Sequence, residues 1–148
     1  MKRILAIALV LASTLVVAGT SSAQEHRVKA TVPFSFTVGD RTLPAGTYTI
    51  GSSANSPDVL VLRNLVKDIK VVTTGRSNQS NPQGIDALVF HMYGGHYFLS
   101  QIRSEGASMN IDFSATKAEK RAWTQVTWTQ SKLAEPIVNA PVLIALNQ

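Results

Sequence analysis

The segment VPFSFTVGDRTLPAGTYTI, Val32 to Ile50, constrains this chain more than any other. Val32, Phe34, Phe36 and Val38 alternate with Pro33, Ser35 and Thr37, which is the period of a strand with one buried face. Gly39-Asp40 then supplies a two-residue hairpin turn with glycine first, as a type II′ turn prefers. That loop sets Val38 opposite Arg41, Phe36 opposite Leu43 and Phe34 opposite Ala45, so apolar residues meet across the pair. One extra loop residue would place Phe36 opposite Pro44 and waste the apolar face. Pro44 cannot donate a ladder hydrogen bond, so Pro44-Ala45-Gly46 ends the strand and redirects the chain into Thr47 to Ile50.

The same grammar recurs downstream. Gly51 to Pro57 is expected as a loop, Val59 to Leu62 and Ile69 to Thr74 as strands, and Gly75 to Gly84 as a long exposed loop without core-forming residues. Ala87 to Tyr93, Gly94-Gly95 and His96 to Ile102 form a second hairpin around a tight turn. Its alternation puts Leu88, Phe90, Met92, Tyr97 and Leu99 on the core face. Val89, His91, Tyr93, His96, Phe98 and Ile102 fall on the other face. Thr116-Lys117-Ala118-Glu119 has the spacing of a helix capping box, and Ala118, Ala122 and Val126 fall on one stripe. The spacing predicts a short helix near residues 117–124. Val126 to Thr129 then alternates like a strand, and Val142 to Leu146 is a last apolar strand. About seven or eight short strands with one short helix predict a mainly β fold, an antiparallel sandwich or small barrel.

The chain opens on Met1-Lys2-Arg3, an apolar run from Ile4 to Val17 and a small-residue segment ending at Ala23, the layout of a secretory signal peptide cleaved between Ala23 and Gln24. The expected organisation is therefore a leader over residues 1–23 and one β-rich domain over 24–148, working in the periplasm or outside the cell. No later segment is apolar for long enough to cross a membrane as a helix. The expected strands are also mostly shorter than a membrane-spanning barrel uses. There is no cysteine, so an exported domain of this kind must be held by its own core. Without Lys2 and Arg3, 12 basic side chains face nine acidic ones. They are scattered apart from Lys117, Lys120 and Arg121, which argues against a nucleic-acid partner.

The residues VPFSFTVGDRTLPAGTYTI, LVFHMYGGHYFLSQI and TKAEKR together resemble a family of small exported proteins of unknown function found mainly in acidobacteria. That family carries VPF-x-F-x-V-G, then TLPAG-x-Y, then VFH-x-YG-x-x-YFLS, then a Ser-x-x-Glu helix start. The likeness runs over most of Val32 to Arg121. Ser35 stands where the family often has an acidic residue, Phe113-Ser114 where it has Leu-Pro, and Thr116 replaces the serine of the helix start while keeping the hydroxyl. The resemblance implies export and a shared fold, and it brings no catalytic residue.

The chemistry-bearing candidates are few. His91 and His96 project from one face of the second hairpin with Tyr93 between them, so they are weak candidates for a metal or a shared proton. A catalytic zinc needs three protein ligands, and no third His or carboxylate is placed nearby in sequence; Asp86 or a residue from another strand would have to supply it. No serine lies in a Gly-x-Ser-x-Gly turn, the carboxylates are spread singly, and no phosphate-cradling glycine loop is present. No catalytic residue and no cofactor follows. The aromatic residues are expected to fill the core, with Tyr93 and Phe98 as the side chains best placed to face a ligand. The leading expectation is a non-enzymatic exported β-domain that binds an envelope or extracellular partner, with weak self-association through Val142 to Leu146 as a further interaction. The alternative is a lipocalin-like barrel holding an apolar small molecule, and the third is a metal-dependent or hydrolytic enzyme using His91 and His96.

Overall fold

The computed structural model describes residues 26–53, 55–79, 84–133 and 140–147. The leader expected over residues 1–23, with its cleavage point at Ala23 and Gln24, lies outside the described residues. Eleven strands and one helix follow in order: β1 Arg27–Val32, β2 Phe36–Val38, β3 Arg41–Leu43, β4 Gly46–Ser53, β5 Ser56–Asn64, β6 Ile69–Thr74, β7 Arg76–Ser77, β8 Ala87–Tyr93, β9 His96–Ser104, β10 Met109–Asp112, α1 Lys117–Leu133 and β11 Val142–Ala145. Among the described residues the fold is mainly β with a single helix, as the alternation and the helix-start spacing predict. The strands outnumber the expectation because the run through Val32 breaks at Pro33-Phe34 into β1 and β2, and because Arg76-Ser77, expected within the Gly75 to Gly84 loop, pairs as β7 with β10, a segment given no strand.

One sheet has the order β1-β4-β5-β6, antiparallel throughout. The other runs β11-β8-β9-β10-β7, with the β2–β3 hairpin attached where β2 pairs parallel to β9. The predicted register of that hairpin is the observed one: Phe36 faces Leu43, Thr37 faces Thr42 and Val38 faces Arg41. Gly39 takes φ +56°, the value that a type II′ turn asks of its first central residue. Phe34, by contrast, does not face Ala45. It occupies the corner between β1 and β2, stacked on Tyr97 with ring centroids 3.8 Å apart.

The chain crosses between the sheets at that corner, again over Pro44-Ala45 and a third time at Gly75. A side chain at Gly75 would come within 2.3 Å of Ile111, so only glycine allows β6 to fold over into β7 there. On the opposite flank the Asn147 backbone amide donates to the Lys29 carbonyl at 2.7 Å, joining the end of β11 to β1. The sheets thus wrap towards a barrel around one shared core. Gly51 to Pro57 is not the expected loop: Gly51 and Ser52 pair with Val61 and Leu60, because β4 is central in its sheet and its backbone groups need partners on both sides.

Outside the core, Arg103 is buried and its guanidinium pairs with Asp112, while also donating to the carbonyls of Ile102 and Ile111. Burial alone would push the Asp112 carboxyl up. The hydrogen bond from Asn78, the Arg103 pair and the charge of Arg76 outweigh it and hold the group below the usual carboxylate value. A carboxyl lowered on folding stabilises fully above its unfolded value near 3.8, and that contribution is lost as the pH falls through the folded value. Asp112→Asn should therefore cost about 1 to 2 kcal/mol at neutral pH in urea unfolding. The difference from the parent chain should shrink towards zero well below pH 3.8.

Candidate functional site

The site begins with a bulge. β8 and β9 pair in register from Tyr93–His96 back to Phe90–Leu99, then slip so that Val89 faces Gln101 and Leu88 faces Ile102. Ser100 is the extra residue. A bulge of this kind re-aims side chains. Leu99 and Ile102 both enter the core, although the plain alternation put Ile102 on the outer face. Ser100 is turned outwards, and its carbonyl accepts the Phe113 amide at 2.8 Å. Met92, expected in the core, pairs with Tyr97 next to the hairpin turn and is exposed.

Helix α1 covers that outer face. The Glu119 amide donates to the Thr116 hydroxyl at 3.1 Å, which is one half of the capping box the sequence announces; the Glu119 carboxylate, expected to complete it, turns to His91 instead. The helix does not stop near residue 124, and Val126 to Thr129 does not return to strand. Thr124, Thr127 and Thr129 bond back to the carbonyls of Lys120, Trp123 and Gln125, while Val126 packs towards Gly94 of the hairpin turn. Tertiary cover therefore overrides the strand preference of those residues. The stripe turned to the sheet is Glu119, which is buried, with Ala122 and Val126 half-buried, whereas Ala118 is exposed.

Beneath the helix, His91 Nδ1 lies 2.8 Å from Glu119 Oε1 and His91 Nε2 lies 3.2 Å from Ser100 Oγ. This is a Ser-His-Glu relay assembled from β9, β8 and α1. Glu119 is 6% exposed and Ser100 7%, while the His91 side chain is 42% exposed. The Tyr93 phenol is pushed above its usual value, first by burial and then by the charge of Glu119. His91 and His96 do share a hairpin face, with His96 opposite Tyr93 and exposed. Both ring nitrogens of His91 are engaged, however, and among the described residues no group of three His, Cys, Asp or Glu side chains could hold a metal. Ser100 and the pairing of Glu119 with His91 escape sequence reasoning, because neither the bulge nor the fold of α1 over β8 is written locally.

Most of the aromatic residues lie in or against the core, as expected. Phe36 meets Tyr48 and Phe90 edge to face, with centroids 5.2 and 5.4 Å apart, and Phe34 meets Phe90 at 5.3 Å. Trp123 and Trp128 do not follow: both are exposed on α1. Phe98 is buried beneath the helix side and borders an open cleft of about 700 Å³ between the β2–β3 hairpin, β6 and the start of α1. Tyr93 lines a different groove beside Gly94, His96 and Val126, so the two residues expected to face a ligand do not face the same one.

No protein-family model, curated protein or solved structure matches this chain.

Breaking the relay should loosen the helix rather than the barrel. His91→Ala and Glu119→Ala should each cost about 1 to 2 kcal/mol, less than additively when combined, and speed amide hydrogen exchange in α1 far more than in β4 or β5. Glu119→Gln should bring the Tyr93 phenol back towards its ordinary value of 10.0, as read by ultraviolet titration.

Proposed function

We propose that this protein is an exported, non-enzymatic β-domain that works through its outer surface, as a member of the acidobacterial family it resembles. The observation that carries this reading is the filled interior. Phe36, Tyr48 and Phe90 occupy the space between the sheets edge to face, where a lipocalin-like carrier would keep its cavity. Binding is then left to the exterior, which is held rigid by the two sheets and by a helix tied down through Glu119. The described residues hold no helix long and apolar enough to cross a membrane, which agrees with a domain released after export. Self-association through Val142 to Leu146 is a lesser element of the reading: β11 is an edge strand with Leu143 exposed, and Asn147 closes its end onto Lys29.

A chain beginning at Gln24 keeps every described residue, and native mass spectrometry of it after purification from the host envelope should show the bare polypeptide mass. An apolar molecule that stays bound until the chain unfolds would transfer the reading to carriage. The same chain should be retained by envelope fractions through contacts that salt or surface substitutions disrupt.

A second reading has its own observation, the Ser100–His91–Glu119 relay, whose connectivity is that of an acyl-transfer triad. Its weakness is access, since the hydroxyl that would attack sits in mid-strand and is almost fully buried beneath α1. A fluorophosphonate probe separates the two readings. We expect no labelling; covalent modification of Ser100 that disappears in His91→Ala would establish a serine hydrolase.

A further inference from the structure

The outer face of the β1-β4-β5-β6 sheet carries a line of cations set by register. Lys29 pairs with Thr49, Thr49 with Arg63 and Arg63 with Lys70, so three basic side chains lie in one row across four strands. The outward positions of these strands hold no carboxylate. Asp58, the one carboxylate on the four strands, accepts the Ser77 amide at the β7 corner. Arg63 and Lys70 face each other directly, an arrangement of like charges that costs stability and that the fold does not need.

One residue beyond that row lies the β5–β6 turn, where Leu65 is 83% and Val66 91% exposed. Turn chemistry at such an apex favours Asn, Asp and Gly. Two bare apolar side chains there contribute almost nothing to the core. Lys67 adds a further cation and Asp68 one anion. The row spans three strand spacings, about 14 Å, and lies perpendicular to the strands, while Leu65 lies two residues, about 7 Å, further along. If the strands stand on a bilayer, all three cations reach the headgroups at one height, and Leu65 and Val66 reach the roughly 5 to 10 Å depth at which interfacial proteins bury apolar side chains.

From this placement we infer that the Lys29–Arg63–Lys70 row and the Leu65-Val66 apex form a docking edge for an anionic phospholipid surface. The inference rests on the surface-binding reading and names its partner. Cations hold the edge to the headgroups and fix its angle; the apex adds apolar burial that a soluble polyanion would not reward.

The test is co-sedimentation of the chain beginning at Gln24 with vesicles of phosphatidylcholine alone, or with one third phosphatidylglycerol. The parent chain should partition at least about tenfold more strongly to the anionic vesicles, with the difference falling in high salt. Lys29→Gln/Arg63→Gln/Lys70→Gln should weaken partitioning by roughly a hundredfold, and Leu65→Ser/Val66→Ser by about tenfold. All five side chains are exposed, so thermal unfolding should confirm that both variants fold. Equal partitioning to the two vesicle types would overturn the inference, as would variants that bind like the parent. Loss on the cation variant with no effect of the apex variant would also overturn it and indicate a soluble polyanion. Retention of the same chain by envelope fractions, measured in parallel, distinguishes a wrong partner from a wrong reading: retention without vesicle binding removes only the lipid, and absence of both removes the surface reading with it.

Discussion

The contact on which the molecule turns is the edge-to-face meeting of Phe36 with Tyr48. Phe36 belongs to β2 and one sheet, Tyr48 to β4 and the other, and Phe90 completes the group from β8. Aromatic rings at this geometry gain more than their buried area alone provides. The Tyr48 hydroxyl would be costly to bury without a partner, and it donates to the Pro44 carbonyl at 2.6 Å. The same side chain therefore seals the core and ties down the corner at which the chain leaves one sheet for the other. Both corners flanking the β2–β3 hairpin contain proline, which fits a place where the ladder must stop.

A second organising element is the single extra residue at Ser100. It decides which of Leu99 and Ile102 are core, and it supplies the outward hydroxyl that His91 meets. The bulge also sets the path to α1, since its carbonyl holds Phe113 just before the helix cap. One local irregularity thus serves the inner and outer faces of the sheet together. The relay it helps to build has the connectivity of a catalytic group and the burial of a fastening.

The legible parts of the sequence were those with local causes. Gly39-Asp40 sets its own register because glycine accepts the required backbone angle and one loop length alone matches Phe36 with Leu43. The Thr116 cap is legible for the same reason. Ser100 was not, because apolar residues fall on both faces of the LVFHMY and HYFLSQI strands, so a slip of one residue leaves the pattern looking intact. The length of α1 was hidden by Val126-Thr127-Trp128-Thr129, residue types that suit a strand and are helical here because β8 and its turn provide cover. Glu119 was recognised as a capping residue, and its pairing with His91 depends on a contact between positions 28 residues apart.

The junction between Asn147 and Lys29 orders events in time. One flank of the strand ring is closed by the earliest described strand and by a residue near the end of the chain, so their pairing has the largest loop-closure cost in the fold. During folding β1 therefore keeps its backbone groups unsatisfied on that flank until the segment around Asn147 arrives. Until that pairing forms, the free edge of β1 is a template for any other strand that reaches it, so the contact that closes this flank is also the one that shields the domain from its own copies.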